Sequence, residues 1–391
     1  MATMRMFLLA GLMFPALAAA QDGLRYEFAA QTRFSSLEST QDHYVINGNA
    51  SPGIYSRTET DYHDLRGEFS FFFAPIPDTP AAPAALRRFY AHPSALHFSF
   101  GIEPEHTVSY EVQNPTISYR RLSRDHDQAR QAAFEGEFYL TKQTGLLVRI
   151  GSLKDESQSS DYSPSVGTQS QSESNEIRRN YGVGATRYVA ENFAVTGVYS
   201  RLDYEFASVE KSWKDNPLLF TEVGRDTDTD GQKFALGGEY IWRSRIGVRL
   251  TYEYASTESD STVLTSYFDN FPAGSSSFQD DMTQHGVFPA VSLFAGERLT
   301  LTVGGRFLWI DMTRAYASAA NHIDYNWGWR GASAAVSYDI TRHLGCWLEY
   351  AYAKRDGDVT FTNQENGVTY RSIFDVESEE QQVSLGIIGR F

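Results

Sequence analysis

The sequence contains a single cysteine, Cys346, so the chain has no partner for an internal disulfide. After the first 20 residues it has no run of about 18 apolar residues, which excludes a transmembrane helix there. Basic residues are also scarce, with 34 Lys and Arg against 49 Asp and Glu, a formal net charge of −15. An acidic surface repels nucleic acid, so we expect no nucleic-acid partner.

Residues 1–20 have the pattern of a secretory signal peptide. Arg5 precedes an apolar run from Phe7 to Leu17, and three alanines stand before Gln21. This run is shorter than the ~20 residues that a membrane span needs. We therefore expect cleavage after Ala20 and export of residues 21–391 as a single domain.

Aromatic residues make up 14% of the sequence, and they recur in segments of alternating character. In one such segment Leu65, Phe69 and Phe73 share one face, whereas Asp64 and Glu68 share the other. A period of two residues is that of a β-strand. One face of such a strand can contact lipid, and the other cannot.

The alternation predicts fourteen strands, within a range of 12 to 16, with bulges near residues 199–202 and 327–331. The predicted strands are 24–35, 61–74, 95–104, 131–141, 145–156, 177–189, 193–207, 230–242, 245–256, 283–295, 298–314, 325–340, 344–356 and 376–391. Connections after even-numbered strands are mostly tight, whereas those after odd-numbered strands are mostly long and polar. This asymmetry is typical of a transmembrane up-and-down β-barrel with short periplasmic turns and long extracellular loops. A soluble β-sandwich needs an apolar inner face, but here the charged face recurs.

The last strand ends in "VSLGIIGRF", with Val383, Leu385 and Phe391 on one face and Arg390 on the other. This ending resembles the C-terminal signature of Gram-negative outer-membrane barrels, and the chain is similar to loosely defined porin families. The resemblance implies an outer-membrane location, contact with lipid and lipopolysaccharide, and an assembly signal at Phe391 for the barrel assembly machinery. We expect Arg390, on the polar face, to tolerate Gln better than Leu385 tolerates Arg.

One inner turn, residues 75–94, is much longer than the others. Its Pro and Ala content predicts a semi-rigid linker. The alternative is a short helix from Ala84 to Tyr90 that plugs the pore or docks a periplasmic partner.

A basic cluster interrupts the acidic outer loops at residues 119–130. It comprises Arg120, Arg121, Arg124 and Arg130. The default interpretation is a solvated loop tip. The functional hypothesis is a constriction loop that folds into the lumen and opposes inward carboxylates, which sets ion preference. These carboxylates are Asp64, Glu68, Glu135 and Glu137.

These features predict a passive channel for small hydrophilic solutes, without a cofactor. The alternative is a non-conducting structural or receptor barrel that acts through its loops, because inward residues of opposite charge can block a lumen. Candidate pairs are Arg25/Glu27, Arg66/Glu68 and Arg249/Glu253.

Asp226, Asp228, Asp230 and Gly231 match the start of a calcium loop. The match fails at the twelfth position, where Gly237 replaces the required glutamate. A solvated acidic loop is therefore the default, and a weak calcium site is the alternative.

Three histidines lie close to possible catalytic partners in the sequence. They are His92 near Ser94, His285 near Asp281, and His322 near Asp324. None belongs to a recognisable hydrolase motif, so we do not expect an enzyme.

Overall fold

The structure is a computed structural model that describes residues 24–46, 55–76, 84–113, 118–127, 129–163, 168–214, 220–267, 274–316, 321–365 and 368–391. The predicted signal peptide, residues 1–20, lies outside the described residues. No helix among the described residues is long and apolar enough to cross a membrane.

The described residues form one helix and fifteen strands. The helix is α1 (Ala84–Ala91), and the first strands are β1 (Leu24–Ile46), β2 (Tyr55–Ile76), β3 (Ala95–Gln113), β4 (Ser118–Asp127), β5 (Ala129–Thr141), β6 (Thr144–Ser163) and β7 (Thr168–Ala190). The others are β8 (Phe193–Lys214), β9 (Phe220–Trp242), β10 (Ile246–Tyr267), β11 (Gly274–Ala295), β12 (Leu299–Tyr316), β13 (His322–Asp339), β14 (Leu344–Glu365) and β15 (Val368–Arg390).

The strands close into a barrel. Strands that neighbour each other in the wall are antiparallel, and β15 pairs with β1. Strands β4 and β5 occupy one position of the wall, because both pair with β3 and with β6. The result is the closed fourteen-stranded barrel that the sequence predicts, without a free sheet edge.

The seam of the barrel joins the two ends of the described chain. The backbone N–H of Tyr26 donates to the carbonyl of Phe391 at 2.8 Å, and the N–H of Phe391 donates back at 2.8 Å. Farther along the seam, Thr32 lies opposite Leu385. Phe391 thus completes the backbone ladder, and its role as an assembly signal stays a prediction.

The strands are much longer than the sequence predicts, and most exceed the 9 to 11 residues that a tilted strand needs to cross a membrane. Residues 157–176, expected as a loop, mostly continue β6 and β7, and Ser157 lies opposite Ser174. Beyond the bilayer both faces of the barrel wall contact water, so these residues show no alternation of apolar and polar side chains that would predict a strand. The backbone still has to satisfy its hydrogen bonds, and the ladder continues.

The bulges predicted near residues 199–202 and 327–331 are wrong. Leu202 lies opposite Gly231 and Trp327 opposite Gly357, each within an uninterrupted register. The alternation of apolar and polar residues is interrupted because aromatic side chains lie on the inward face near these positions. The backbone pairing is unaffected. A register shift occurs instead between β2 and β3, at His63/Leu65.

Candidate functional site in the barrel lumen

The two faces of the wall differ in chemistry, as strand β5 illustrates. Phe138 and Leu140 point outward and are exposed, whereas Glu135 and Glu137 line the interior. On the closing strand Leu385 is likewise exposed on the outer face, and Arg390 is buried on the inner one. Apolar residues outside and charged residues inside are the arrangement of a barrel that surrounds a wet lumen in lipid.

Helix α1 lies inside the end of the barrel that carries the short turns, which we term the periplasmic end. Leu86 and Phe89, three residues apart on one helix face, are buried against inward side chains of the wall. These partners include Tyr188 of β7, Ile241 of β9 and Phe294 of β11. The helix predicted as the alternative is therefore present, and the linker interpretation of residues 75–94 is wrong for the helical part.

The basic face of α1 contacts the opposite wall. Arg88 Nη2 donates to Glu27 Oε1 at 3.1 Å, and its guanidinium lies 5.1 Å from the centre of the Phe72 ring. Glu27 also accepts from Arg390 Nε at 3.1 Å. Helix α1 is thus held by an apolar cluster on one side and by an ion-pair network on the other.

The residues at the C-terminal end of α1 attach the plug to two periplasmic turns. The His92 ring stacks on Tyr188 at a centroid distance of 3.6 Å, and its Nδ1 donates to the Lys142 carbonyl at 2.8 Å. The hydroxyls of Tyr90 and Ser244 lie 3.3 Å apart. Burial lowers the pKa of His92 below its usual range, and the hydrogen bond to the Lys142 carbonyl only partly opposes this effect.

A cavity of about 1080 Å³ extends from α1 into the lumen. Phe72, Phe89 and Tyr188 contribute aromatic surface where it meets the plug. The charged side chains that line it include Glu68, Arg88, Glu135, Glu137, Arg149, Arg178 and Glu239. Both signs of charge are present, so the lumen is polar. It does not share the acidic excess of the sequence as a whole.

Asp64, Glu68, Glu135 and Glu137 do face the interior, as predicted, but their polar contacts come from the wall. Asp64 forms ion pairs with Arg33 and with Arg66, the latter at 2.9 Å. Glu68 accepts a hydrogen bond from the Ser70 hydroxyl at 3.4 Å.

The other two carboxylates also have local partners. Glu135 accepts from Arg149 Nε at 2.6 Å, and Glu137 accepts from the Tyr139 hydroxyl at 2.6 Å. The inward carboxylates are therefore matched by side chains of β1, β2, β5 and β6. The three charge pairs proposed from the sequence are replaced in the same way, and Glu27 binds Arg88 and Arg390 rather than Arg25.

Arg66 binds Asp64 rather than Glu68, and Glu253 lies 2.7 Å from Lys233 rather than beside Arg249. The sequence pattern does not distinguish an ion-pair partner on the adjacent strand from one that lies two residues away on the same face. Only the register distinguishes them.

The predicted constriction loop is mostly a strand. Arg120 lies opposite Glu111, and Arg121 opposite Tyr110, so the backbone of residues 118–127 continues the wall beside β3. The side chains of Arg120, Arg121 and Arg124 lie outside the described residues, and their role in constriction stays a prediction.

Arg130 belongs to β5, lies opposite Ile102 and is exposed on the face that carries Phe138. It therefore points away from the lumen.

The acidic repeat at residues 226–230 lies within β9 rather than in a loop. Asp228 is opposite Asp260, and Asp230 accepts from Arg201 Nη2 at 2.8 Å. The tight turn of a calcium loop is absent because the chain is extended here. Among the described residues no group of three His, Cys, Asp or Glu side chains is placed to hold a metal ion.

Of the three histidine pairs noted in the sequence, His322 and Asp324 are in contact, whereas His285 and Ser94 have other partners. His285 Nδ1 lies 2.9 Å from the Tyr252 hydroxyl, and His322 lies 3.4 Å from Asp324 on a partly exposed face. The Ser94 hydroxyl accepts from the backbone N–H of Tyr139 at 2.8 Å. These contacts do not form a Ser-His-Asp arrangement.

Sequence reasoning missed a set of inward arginines that stack on aromatic rings in the extracellular half of the lumen. Arg314 lies 4.2 Å and Arg225 5.1 Å from the centre of the Phe278 ring. Arg355 lies 4.3 Å from the centre of the Trp327 ring. For Trp327 the signal is an aromatic residue on an otherwise polar face, which in the sequence alone looks like a bulge.

Comparison with solved structures identifies channels of the same architecture. A structure described as the TodX monoaromatic hydrocarbon channel deltaS2 mutant has a TM-score of 0.52 and 10% identity, covering 96% of this chain and 92% of that chain. The Pseudomonas putida toluene transporter TodX has a TM-score of 0.51 and 10% identity, covering 96% and 91%.

This level of identity establishes the fold alone, which is that of an outer-membrane β-barrel. No protein-family model and no curated protein matches the sequence. The resemblance to porin families therefore stays a prediction.

Proposed function

We propose that the protein is an outer-membrane channel for small polar solutes and that helix α1 restricts its periplasmic end. The observation that carries this proposal is the charged inner wall around a cavity of about 1080 Å³, inside a barrel whose outer face is apolar. A structural barrel needs no such space.

The composition of the lumen favours polar solutes over hydrocarbons. Glu68, Glu239 and Arg149 line the cavity together with other charged groups. A hydrocarbon that enters must displace water from these groups and returns no hydrogen bond to them, which is unfavourable. A polar solute replaces the water contacts that it removes.

The position of α1 favours a restricted channel over an open one. Leu86 is buried against the wall, and Arg88 binds Glu27 on another part of the wall. A helix about 10 Å in diameter with its side chains takes up much of the cross-section of a small barrel. Solutes must therefore pass beside the helix or wait for it to move.

Single-channel recording in planar bilayers tests this function. The purified full chain should produce discrete conductance steps smaller than those of an unobstructed barrel. Vesicles that contain the protein should also admit small sugars faster than large ones.

The second candidate is a non-conducting barrel, which the two-sided attachment of α1 favours. In that case no conductance steps appear with the full chain or with a variant that lacks α1. A variant that conducts while the full chain does not would instead identify α1 as the closed gate of a channel.

A further inference from the structure

A second group of side chains in the lumen has the chemistry of a ligand site. Trp327 and Trp329 of β13 alternate on the inward face, and Arg355 of β14 lies between their rings. The Arg355 guanidinium is 4.3 Å from the centre of the Trp327 ring and 5.8 Å from that of Trp329. Arg306 of β12 lies 5.6 Å from the Trp329 ring on its other side. We call these four residues the arginine–tryptophan site.

Glycine allows one of these rings to lie flat against the wall. Gly357 of β14 is opposite Trp327, and a Cβ atom there would lie only 2.6 Å from Cδ1 of the indole. That Cβ would lie closer still to the backbone carbonyl oxygen of Asn326, so any larger residue would disturb both the pairing of β13 with β14 and the position of the ring. The open position therefore places the Trp327 ring where Arg355 can stack on it.

Two donors of the site have no acceptor among the described residues. The Nε1 of Trp327 and the Nε of Arg355 are both buried and have no hydrogen-bond partner within the part of the chain that the structure describes. Buried donors in folded proteins are almost always paired. Two adjacent unpaired donors indicate an acceptor that the described protein atoms do not supply.

Within the described part of the chain the two arginines of the site have no counter-ion, unlike other arginines of the lumen. Arg314 binds Asp280 through two hydrogen bonds of 2.7 and 2.8 Å, and Arg178 pairs with Glu176. Among the described residues no carboxylate forms an ion pair with Arg306 or Arg355. The site therefore carries positive charge that an anion can neutralise.

The lumen beside Arg306, at one edge of the site, offers room for a molecule of one aromatic ring. Arg306 lines a cavity of about 360 Å³ whose wall is built largely from small residues, such as Gly304, Ser333 and Ala351. This volume lies at the lower end of the range for small-molecule sites. Glu349, Glu380 and Arg249 line the same cavity, so an anionic ligand must approach the arginines, Arg306 and Arg249, rather than the two carboxylates.

We propose that the arginine–tryptophan site binds small aromatic carboxylates. The aromatic ring of the ligand packs against the indoles, and its carboxylate accepts from the guanidinium groups and the Trp327 N–H. Neutral arenes lack the acceptor, and aliphatic acids lack the ring. The site makes the lumen selective for these ligands. This role in transport depends on the proposed channel function, whereas ligand binding itself does not.

A ligand-observed NMR titration of the purified full chain in detergent tests the proposal without requiring conduction. The probes are benzoate, acetate and benzyl alcohol. Benzoate should bind at least about tenfold more tightly than either of the other two, because only benzoate satisfies both parts of the site. Equal affinities for benzoate and acetate, or for benzoate and benzyl alcohol, would overturn the proposal.

Substitutions locate the binding. Arg355→Gln should weaken benzoate binding about tenfold or more, and Trp327→Leu should weaken it severalfold. Arg330→Gln is the matched control, because Arg330 lies on the outer face of β13, the strand of Trp327, and pairs with Asp356 at 3.1 Å. The Arg330→Gln protein should bind benzoate with the same affinity as the wild type.

A second variant protects the test against misfolding. Arg306→Gln should also weaken benzoate binding, and each variant is first shown to retain the heat-modifiable gel mobility of a folded barrel. Unchanged benzoate affinity in folded Arg355→Gln and Arg306→Gln proteins would contradict the proposal. If the wild type binds benzoate but gives no conductance, the site stands and the channel function fails.

Discussion

Arg390 and Glu27 form an ion pair across the seam of the barrel, with Arg390 Nε 3.1 Å from Glu27 Oε2. The same arginine binds Asp339 at 2.7 Å, and the same glutamate binds Arg88 of helix α1 at 3.1 Å. The side chain of Arg390 is only 5% exposed. Closure of the barrel and attachment of the plug therefore depend on one connected set of charges.

The first prediction concerns this arginine and reverses the tolerance expected from the sequence. Arg390→Gln should destabilise the folded barrel by about 3 to 5 kcal/mol, because it removes the guanidinium shared by the buried carboxylate of Asp339 and the partly buried carboxylate of Glu27. Urea unfolding in lipid vesicles measures the change. Arg330→Gln removes an exposed ion pair and should cost less than about 1 kcal/mol. Equal costs for the two variants would contradict the role of Arg390.

The second prediction concerns the lipid-facing side of the same strand. Leu385, which is 53% exposed, lies on the outer face of β15. Leu385→Arg should cost about 2 to 4 kcal/mol, because a charge there must enter the hydrocarbon region. Gln381→Arg, four residues farther from the periplasmic end on the same face, is the control and should cost about 0 to 1 kcal/mol. The same unfolding measurement applies, and a neutral Leu385→Arg would place that position outside the membrane.

Much of the architecture could be predicted because lipid on one side and water on the other impose a period of two. Phe69 and Glu68 reveal their faces in the sequence alone. Beyond the bilayer this contrast disappears, so residues such as Ser157 and Ser174 were expected in a loop although they belong to strands. Pairing of the backbone, rather than any side-chain pattern, extends the barrel there.

The third prediction concerns pH and the attachment of the plug. The folded-state pKa of His92 is lowered from the usual value of 6.5, so the folded protein binds fewer protons than the unfolded chain below that value. The contribution of His92 to stability is therefore complete above about pH 6.5 and is lost as the pH falls through and below it.

Acidification should thus loosen the contact of His92 with Tyr188 and the Lys142 carbonyl, and it should increase conductance. His92→Gln, which cannot gain a proton, should show a weaker dependence between pH 7 and pH 5. An identical pH dependence in both proteins would exclude His92 as the titrating group.

The fourth prediction concerns the periplasmic turns. Arg243 and Ser244 have φ values of 49° and 53°, in the left-handed region that costs about 1 to 2 kcal/mol for a residue with a side chain. Ser244→Gly should therefore raise the free energy of unfolding by about 1 kcal/mol. Gly296 has a φ of 69° with open space around it, so Gly296→Ala should lower this free energy by a similar amount. Changes of the same sign in both variants would contradict this explanation.

The candidate site was less predictable than the fold. The inward direction of Glu135 and Glu137 followed from alternation, but their partners depend on register between strands that the sequence does not specify. Arg88 was not recognised, since a helix of eight residues inside a barrel gains its stability from contacts with distant parts of the wall. Arg355 and Trp327 are 28 residues apart in sequence and meet only because β13 and β14 pair.

Removal of helix α1 tests whether this helix restricts a conducting lumen. Replacement of residues 77–92 by a four-residue turn leaves the wall intact, because the backbone N–H of Phe73 already bonds to the Ser94 carbonyl at 2.9 Å. Single-channel conductance of this variant in planar bilayers, compared with the full chain, is the most direct measurement. If α1 restricts the pore, the discrete conductance steps should be severalfold larger in the variant. Equal conductance of the two proteins, with both folded, would show that α1 does not restrict the pore, and absence of conductance in both would contradict the channel itself.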